Sequence, residues 1–234
     1  MPFEVHRLSK RFGKIHALTD VSFQVRAGEV LGLIGPNGAG KSTLFECLAG
    51  LLPYESGSIQ SDERAVTNAD LFYVPDGIAP WPAQPVGWVL DFVIGFFAGG
   101  SFAGSKARRD EVIDQLDLSG LLHQPIGTLS KGQRKRALLA IGLLTPQPVL
   151  LIDEPLDGLD LRQMRDVAAA LRVHASRGRT LFLSIHQISD AARFCDRFVL
   201  LSGGRVCGEG TIDELATLAS VASRDLEEVF LALT

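Results

Sequence analysis

The sequence predicts an α/β fold: a parallel sheet buried on both faces, a small N-terminal antiparallel β layer and an inserted α-helical subdomain. Three observations predict it. Val30–Ile34 (VLGLI), Val149–Ile152 (VLLI) and Thr180–Ile185 (TLFLSI) are continuous apolar runs of strand length, the pattern of parallel strands covered on both sides. Phe3–Leu8 and Val21–Val25 instead alternate apolar and polar residues, as half-buried strands do, and Ser56–Gln60 is a third candidate. Leu161, Met164, Val167, Ala168 and Leu171 follow helical spacing between the second and third apolar runs, leaving Arg162, Arg165 and Arg172 for solvent.

The strand–helix rhythm breaks at Pro80, Pro82 and Pro85. From there to about Leu122 the chain is helix-like: Phe92, Phe96, Phe97 and Phe102 interleaved with Gly95, Gly99, Gly100 and Gly104, then a charged stretch. We read residues 1–234 as a single domain, with a helical subdomain at about residues 77–145 inside it.

Composition narrows the class. Hydrophobic residues make up 46% of 234 and charged residues 21%, which excludes a disordered chain. The net charge of −4 gives no global attraction to nucleic acid or anionic lipid. Cys47, Cys195 and Cys207 are scattered and lack close His partners, so neither a disulfide framework nor a zinc site is indicated, and a reducing cytoplasm is expected. Glu4 and Arg7 occupy the stretch where an export signal needs an apolar core. The apolar segments Phe92–Gly104 and Ala137–Ile152 fall short of the roughly 20 residues of a membrane span, and Pro146 and Pro148 break the second.

Gly35-Pro36-Asn37-Gly38-Ala39-Gly40-Lys41-Ser42 matches G-x-x-x-x-G-K-[ST] after an apolar strand and before a predicted helix over Thr43–Leu51. Its glycines let backbone N–H groups turn around phosphates, and the helix N-terminus adds partial positive charge. Lys41 is placed on the β/γ oxygens and Ser42 on Mg²⁺, so the core reads as that of a P-loop NTPase. Val149–Pro155 ends a buried strand with Asp153 and Glu154, where ligands of open α/β sheets bind. Asp153 is assigned to the metal and Glu154 to the base that activates the attacking water.

Between these motifs lies Leu129-Ser130-Lys131-Gly132-Gln133, and with it the chain resembles the nucleotide-binding subunits of ABC transporters, whose signature is LSGGQ. Lys131 departs from the pattern, placing a cation at a glycine position near the phosphate of the opposing site. The resemblance implies that Ser130, Gly132 and Gln133 contact ATP held by a second chain, and that Gly35–Thr43 contact ATP in this one. It also implies that Asp160, in Leu156-Asp157-Gly158-Leu159-Asp160, couples the two sites and that His186 positions water and γ phosphate. Phe12 resembles the aromatic that stacks on adenine. Asp76, in Tyr73-Val74-Pro75-Asp76, stands where the family carries a glutamine. It can accept a hydrogen bond from metal-bound water but cannot donate as an amide does.

The resemblance implies ATP and Mg²⁺ as cofactors, a homodimer or heterodimer of ATP-binding subunits, and transmembrane permease subunits as partners. The chain is expected on the cytoplasmic face of the membrane without spanning it and without binding nucleic acid. The ending Asp225–Thr234 looks like that of type-two exporter ATPases, and no regulatory domain is expected after residue 234. Export is therefore the expected direction. The Phe/Gly-rich stretch is either a face for a membrane subunit or subdomain core. Two other functions stay open: a non-transport ABC ATPase acting on ribosomes or DNA, and a regulatory module that holds ATP without hydrolysing it. The basic run Lys131, Arg134, Lys135 and Arg136 would suit a nucleic-acid patch.

Overall fold

The computed structural model describes residues 1–62, 64–97 and 105–234. Phe102, Gly99, Gly100 and Gly104 of the Phe/Gly-rich stretch lie outside them. Strands β1 (Phe3–Phe12) and β2 (Ile15–Val25) open the chain, followed by β3 (Val30–Ile34), helix α1 (Lys41–Leu48) and strands β4 (Ser56–Ser61), β5 (Arg64–Ala65) and β6 (Leu71–Val74). Helices α2 (Val86–Phe97), α3 (Ser105–Gln115) and α4 (Lys131–Leu144) come next. Alternation resumes with β7 (Val149–Asp153), α5 (Leu161–Ser176), β8 (Thr180–Ile185), α6 (Ile188–Phe194) and the hairpin β9 (Arg197–Ser202) and β10 (Arg205–Gly210). Helices α7 (Ile212–Ala219) and α8 (Leu226–Leu233) close the chain.

The strands form a six-stranded sheet ordered β10-β9-β3-β8-β7-β6 and a four-stranded sheet ordered β2-β1-β4-β5. In the larger sheet every pairing from β9 to β6 is parallel and β10 is antiparallel to β9, while the smaller sheet is antiparallel throughout. The predicted α/β class is what the structure shows.

The apolar runs are continuous because both faces of the larger sheet are covered. Leu150, Ile152, Leu181, Leu183 and Ile185 join one core with α2, α4 and α5. Their neighbours Leu31, Leu33, Val149, Leu151 and Phe182 join a second core with α1 and the smaller sheet. Phe182 sits in edge contact with Phe45, ring centroids 4.9 Å apart, and tilted against Phe23 at 5.5 Å. α4 is buried from Lys135 onward and lies close under the sheet. A Cβ at Gly142 would fall 2.5 Å from Val74 Cγ2, so only glycine permits that approach.

Candidate nucleotide site

β3 delivers the chain into Gly35–Gly40, and α1 begins at Lys41. Gly40 caps α1 with φ +105°, a conformation that L side chains avoid, and a Cβ there would lie 2.7 Å from Ala17 O. Lys41 is buried and donates Nζ to Gly35 O at 2.8 Å and Pro36 O at 3.1 Å. Burial pushes its pKa down, and Glu154 and Asp153 pull the other way. A tight loop at a helix N-terminus, with a cation folded onto it, is an anion-binding arrangement.

β7 brings Asp153 and Glu154 to this loop. Ser42 Oγ donates to Asp153 Oδ2 at 2.8 Å and Tyr73 OH to the same oxygen at 3.3 Å, while Ser184 Oγ donates to Oδ1. A hydroxyl and a carboxylate in contact are hard oxygen donors that fit Mg²⁺. Glu154 has φ +48°, a left-handed value for a non-glycine residue and one that stores strain. Its N–H meets Ser184 Oγ at 3.0 Å and Ser184 O at 3.2 Å. Glu154, Asp157, Ser184 and His186 line one cavity of about 110 Å³. His186 is exposed at the end of β8.

The signature segment starts α4. Ser130 and Gln133 form a capping box, with Gln133 N–H to Ser130 Oγ at 3.3 Å and Ser130 N–H to Gln133 Oε1 at 2.9 Å. Gly132 packs on the segment after β7, where a Cβ would meet Gly158 O at 3.1 Å. Lys131 Nζ turns back onto Asp157 Oδ2 at 2.6 Å, so this cation is neutralised within its own chain rather than presented free at an opposing site. The Lys131 ammonium holds the Asp157 carboxyl below its ordinary range.

The basic run is not one surface patch either: Lys135 and Arg136 are buried, and Arg136 donates to Leu116 O and Asp117 O, both at 2.8 Å. Lys135 Nζ binds Asp76 Oδ1, and reaches Glu154 O at 2.7 Å. Asp160 caps α5, accepting the Gln163 N–H at 2.9 Å. Phe12 lies at the end of β1 and is 47% exposed, with the Lys10 ammonium 5.2 Å from its ring centroid. It is not an ordinary core phenylalanine.

Sequence reading overlooked three side chains. Ser184 is a polar residue set among the apolar side chains of β8 and pairs in register with Asp153, and its place in the run is visible in the sequence. Tyr73 sits on β6 beside Leu151 of β7. Lys135 is one helical turn beyond Lys131 and so shares its face, which the basic run conceals.

Comparison with known proteins places this geometry in context. The family model described as ABC transporter matches residues 18–157. The hemin import ATP-binding protein HmuV of Bradyrhizobium diazoefficiens is 34% identical over 242 residues, covering 97% of this chain and 88% of its own. The doxorubicin resistance ATP-binding protein DrrA of Mycobacterium tuberculosis is 32% identical over 232 residues, covering 93% of this chain and 69% of its own. A solved ATP-binding subunit of an ABC transporter superposes with a TM-score of 0.91 at 28% identity, covering 100% of this chain and 99% of that one.

Proposed function

Because the chain belongs to the ABC transporter family of ATP-binding subunits, we propose that it is the Mg²⁺-dependent ATPase of an exporter, acting as a dimer on separate membrane subunits. One observation carries the catalytic reading: the loop residue Ser42 and the strand-end residue Asp153 are in hydrogen-bond contact, with Glu154 next in the chain. The loop amides and Lys41 would take the β and γ phosphates. Ser42 and Asp153 would hold Mg²⁺, which neutralises phosphate charge when bound. Glu154 accepts the proton of the attacking water, and His186, on the same cavity, orients that water and the γ phosphate.

The dimer is supported by α4, exposed at Ser130 and Lys131 and buried from Lys135 onward. The Gln133 and Arg134 N–H groups are taken up by Ser130, so it is the positive end of the helix dipole beside exposed Lys131 that a second chain's nucleotide would meet. Asp160, at the cap of α5, would link the two sites.

A membrane partner is supported by Trp81, Trp88, Phe92 and Phe96, which are exposed large apolar side chains. Their rings form a ladder, with centroids 5.2 Å apart for Trp81–Phe92, 5.3 Å for Trp88–Phe92 and 6.4 Å for Phe92–Phe96. Such a ladder suits an apolar helix of a permease subunit. No helix among the described residues is long and apolar enough to cross a membrane. A chain that works on separate permease subunits and draws on ATP would sit peripherally, on the cytoplasmic face. Export rests on the likeness of Asp225–Thr234 to exporter ATPases, and a transport assay decides it against the import in the name of HmuV.

The test is recovery of the chain from native membranes together with a transmembrane protein. Trp88→Ser with Phe96→Ser should reduce that recovery about tenfold, the scale of one or two aromatic anchors at an interface. A pool bound only to ribosomes or DNA would overturn the transport reading.

A further inference from the structure

Asp76, Glu154 and Asp157 each offer a carboxylate oxygen within 4.8 Å of the others. Three acids that close repel one another unless cations stand between them. Among the described residues, the ammonium groups in hydrogen-bond contact with this cluster are Lys131 and Lys135, on one face of α4. Lys131 answers Asp157, but with its side chain 64% exposed it sits largely in water, where such a pair is weak. Lys135 is different: its side chain is 5% exposed, and its ammonium holds the Asp76 carboxylate and the Glu154 carbonyl together.

That carbonyl belongs to a strained residue. Glu154 keeps φ +48° only while its surroundings over-determine it. Its N–H is fixed by Ser184, and its C=O receives the Lys135 ammonium at 2.7 Å and the Asp157 N–H at 3.3 Å. Of these ties, the one from Lys135 is charge-assisted and buried, so it is the strongest on the carbonyl side.

We propose that Lys135 is a positioning residue for ATP hydrolysis, a built-in cation that fixes the Glu154 peptide in its left-handed conformation and neutralises Asp76 beside it. This rests on the reading of Glu154 as the base. Asp76 carries a charge at a position where the family has a neutral glutamine, and Lys135 supplies the compensating charge from α4.

The test compares kcat and KM for ATP in the purified chain. Lys135→Gln should lower kcat about tenfold or more while KM stays within about threefold, because the base is misplaced and the phosphate loop is untouched. Lys135→Arg, which keeps the buried cation, should recover most of the loss. Asp76→Gln combined with Lys135→Gln should also turn over faster than Lys135→Gln alone, since no carboxylate is then left unpaired. A purely structural lysine would lower Tm and activity together, with both recoveries tracking Tm, whereas a positioning residue lowers kcat at temperatures where the variant is still fully folded. Should Lys135→Gln fail to fold, Asp76→Asn tests the pair from the other side, with a fall in kcat at constant KM expected. Lys135→Gln or Asp76→Asn with kcat within about twofold of the parent overturns the proposal. Glu154→Gln, run alongside, separates the two readings. If the parent chain hydrolyses ATP and Glu154→Gln does not, a normal Lys135→Gln sinks only the role of Lys135. A parent chain without ATPase activity sinks both.

Discussion

Ser42 Oγ and Asp153 Oδ2 lie 2.8 Å apart although 111 positions separate them in the chain. That bond joins the phosphate loop to the acidic end of β7, and Ser184 and Tyr73 hold Asp153 from other directions. Ser42→Ala should therefore leave Asp153 in place and remove only the hydroxyl. Loss of one of the two oxygen donors proposed for Mg²⁺ should lower affinity for ATP in the presence of Mg²⁺ about tenfold or more, the scale seen when even outer partners of a metal site are removed. Titration of a fluorescent ATP analogue with Mg²⁺ and with EDTA checks this. Equal affinities of parent and variant in Mg²⁺ would remove Ser42 from the metal site.

Gly142 permits α4 to lie against β6 and β7. Gly142→Val improves intrinsic helix propensity by a few tenths of a kcal/mol. It also drives a branched side chain into Val74 and Leu150, an overpacking that costs about 1–3 kcal/mol. The second effect is larger, so the denaturant midpoint should fall without a change in slope. An unchanged midpoint would mean that α4 can move away from the sheet freely.

His174 is buried near Arg179, Arg108 and Arg177, and burial first, then these cations, push its pKa down to about 4, against a weaker opposing pull from Glu111. Above pH 6.5 the ring is neutral in folded and unfolded chains and costs nothing. As pH falls from 6.5 to 4, the unfolded chain takes up the proton and the folded chain does not, so stability declines and the loss is complete below about pH 4. The full difference amounts to about 3 kcal/mol. Urea midpoints measured between pH 7.5 and 5 should fall more steeply for the parent than for His174→Leu, and parallel profiles would show that His174 does not carry this dependence.

Sequence legibility followed from how far each feature depends on local pattern. Val30–Ile34, Val149–Ile152 and Thr180–Ile185 announce buried parallel strands because both faces need apolar side chains, and GPNGAGKS carries its own turn chemistry. β6 was not legible, since Leu71–Val74 is only four residues long and becomes a strand by pairing with β7. β9 opens with Arg197, a charge that argues against burial until Glu29 and Glu209 are seen to bind it. Within the site, spacing placed Ser42 and Asp153 in their motifs, but nothing local shows that Lys131 folds back onto Asp157 or that Lys135 lies beneath Glu154. Both depend on how α4 packs against the end of β7, a tertiary relationship. Gly142 likewise looks like an unexplained helix breaker until Val74 is seen against it.

The base assignment of Glu154 is the centre of the mechanism, and single-turnover hydrolysis by Glu154→Gln tests it most directly. The change keeps side-chain size and removes the proton acceptor, so the rate should fall on the order of a hundredfold or more while ATP affinity holds. Near-parent hydrolysis by Glu154→Gln would contradict the assignment.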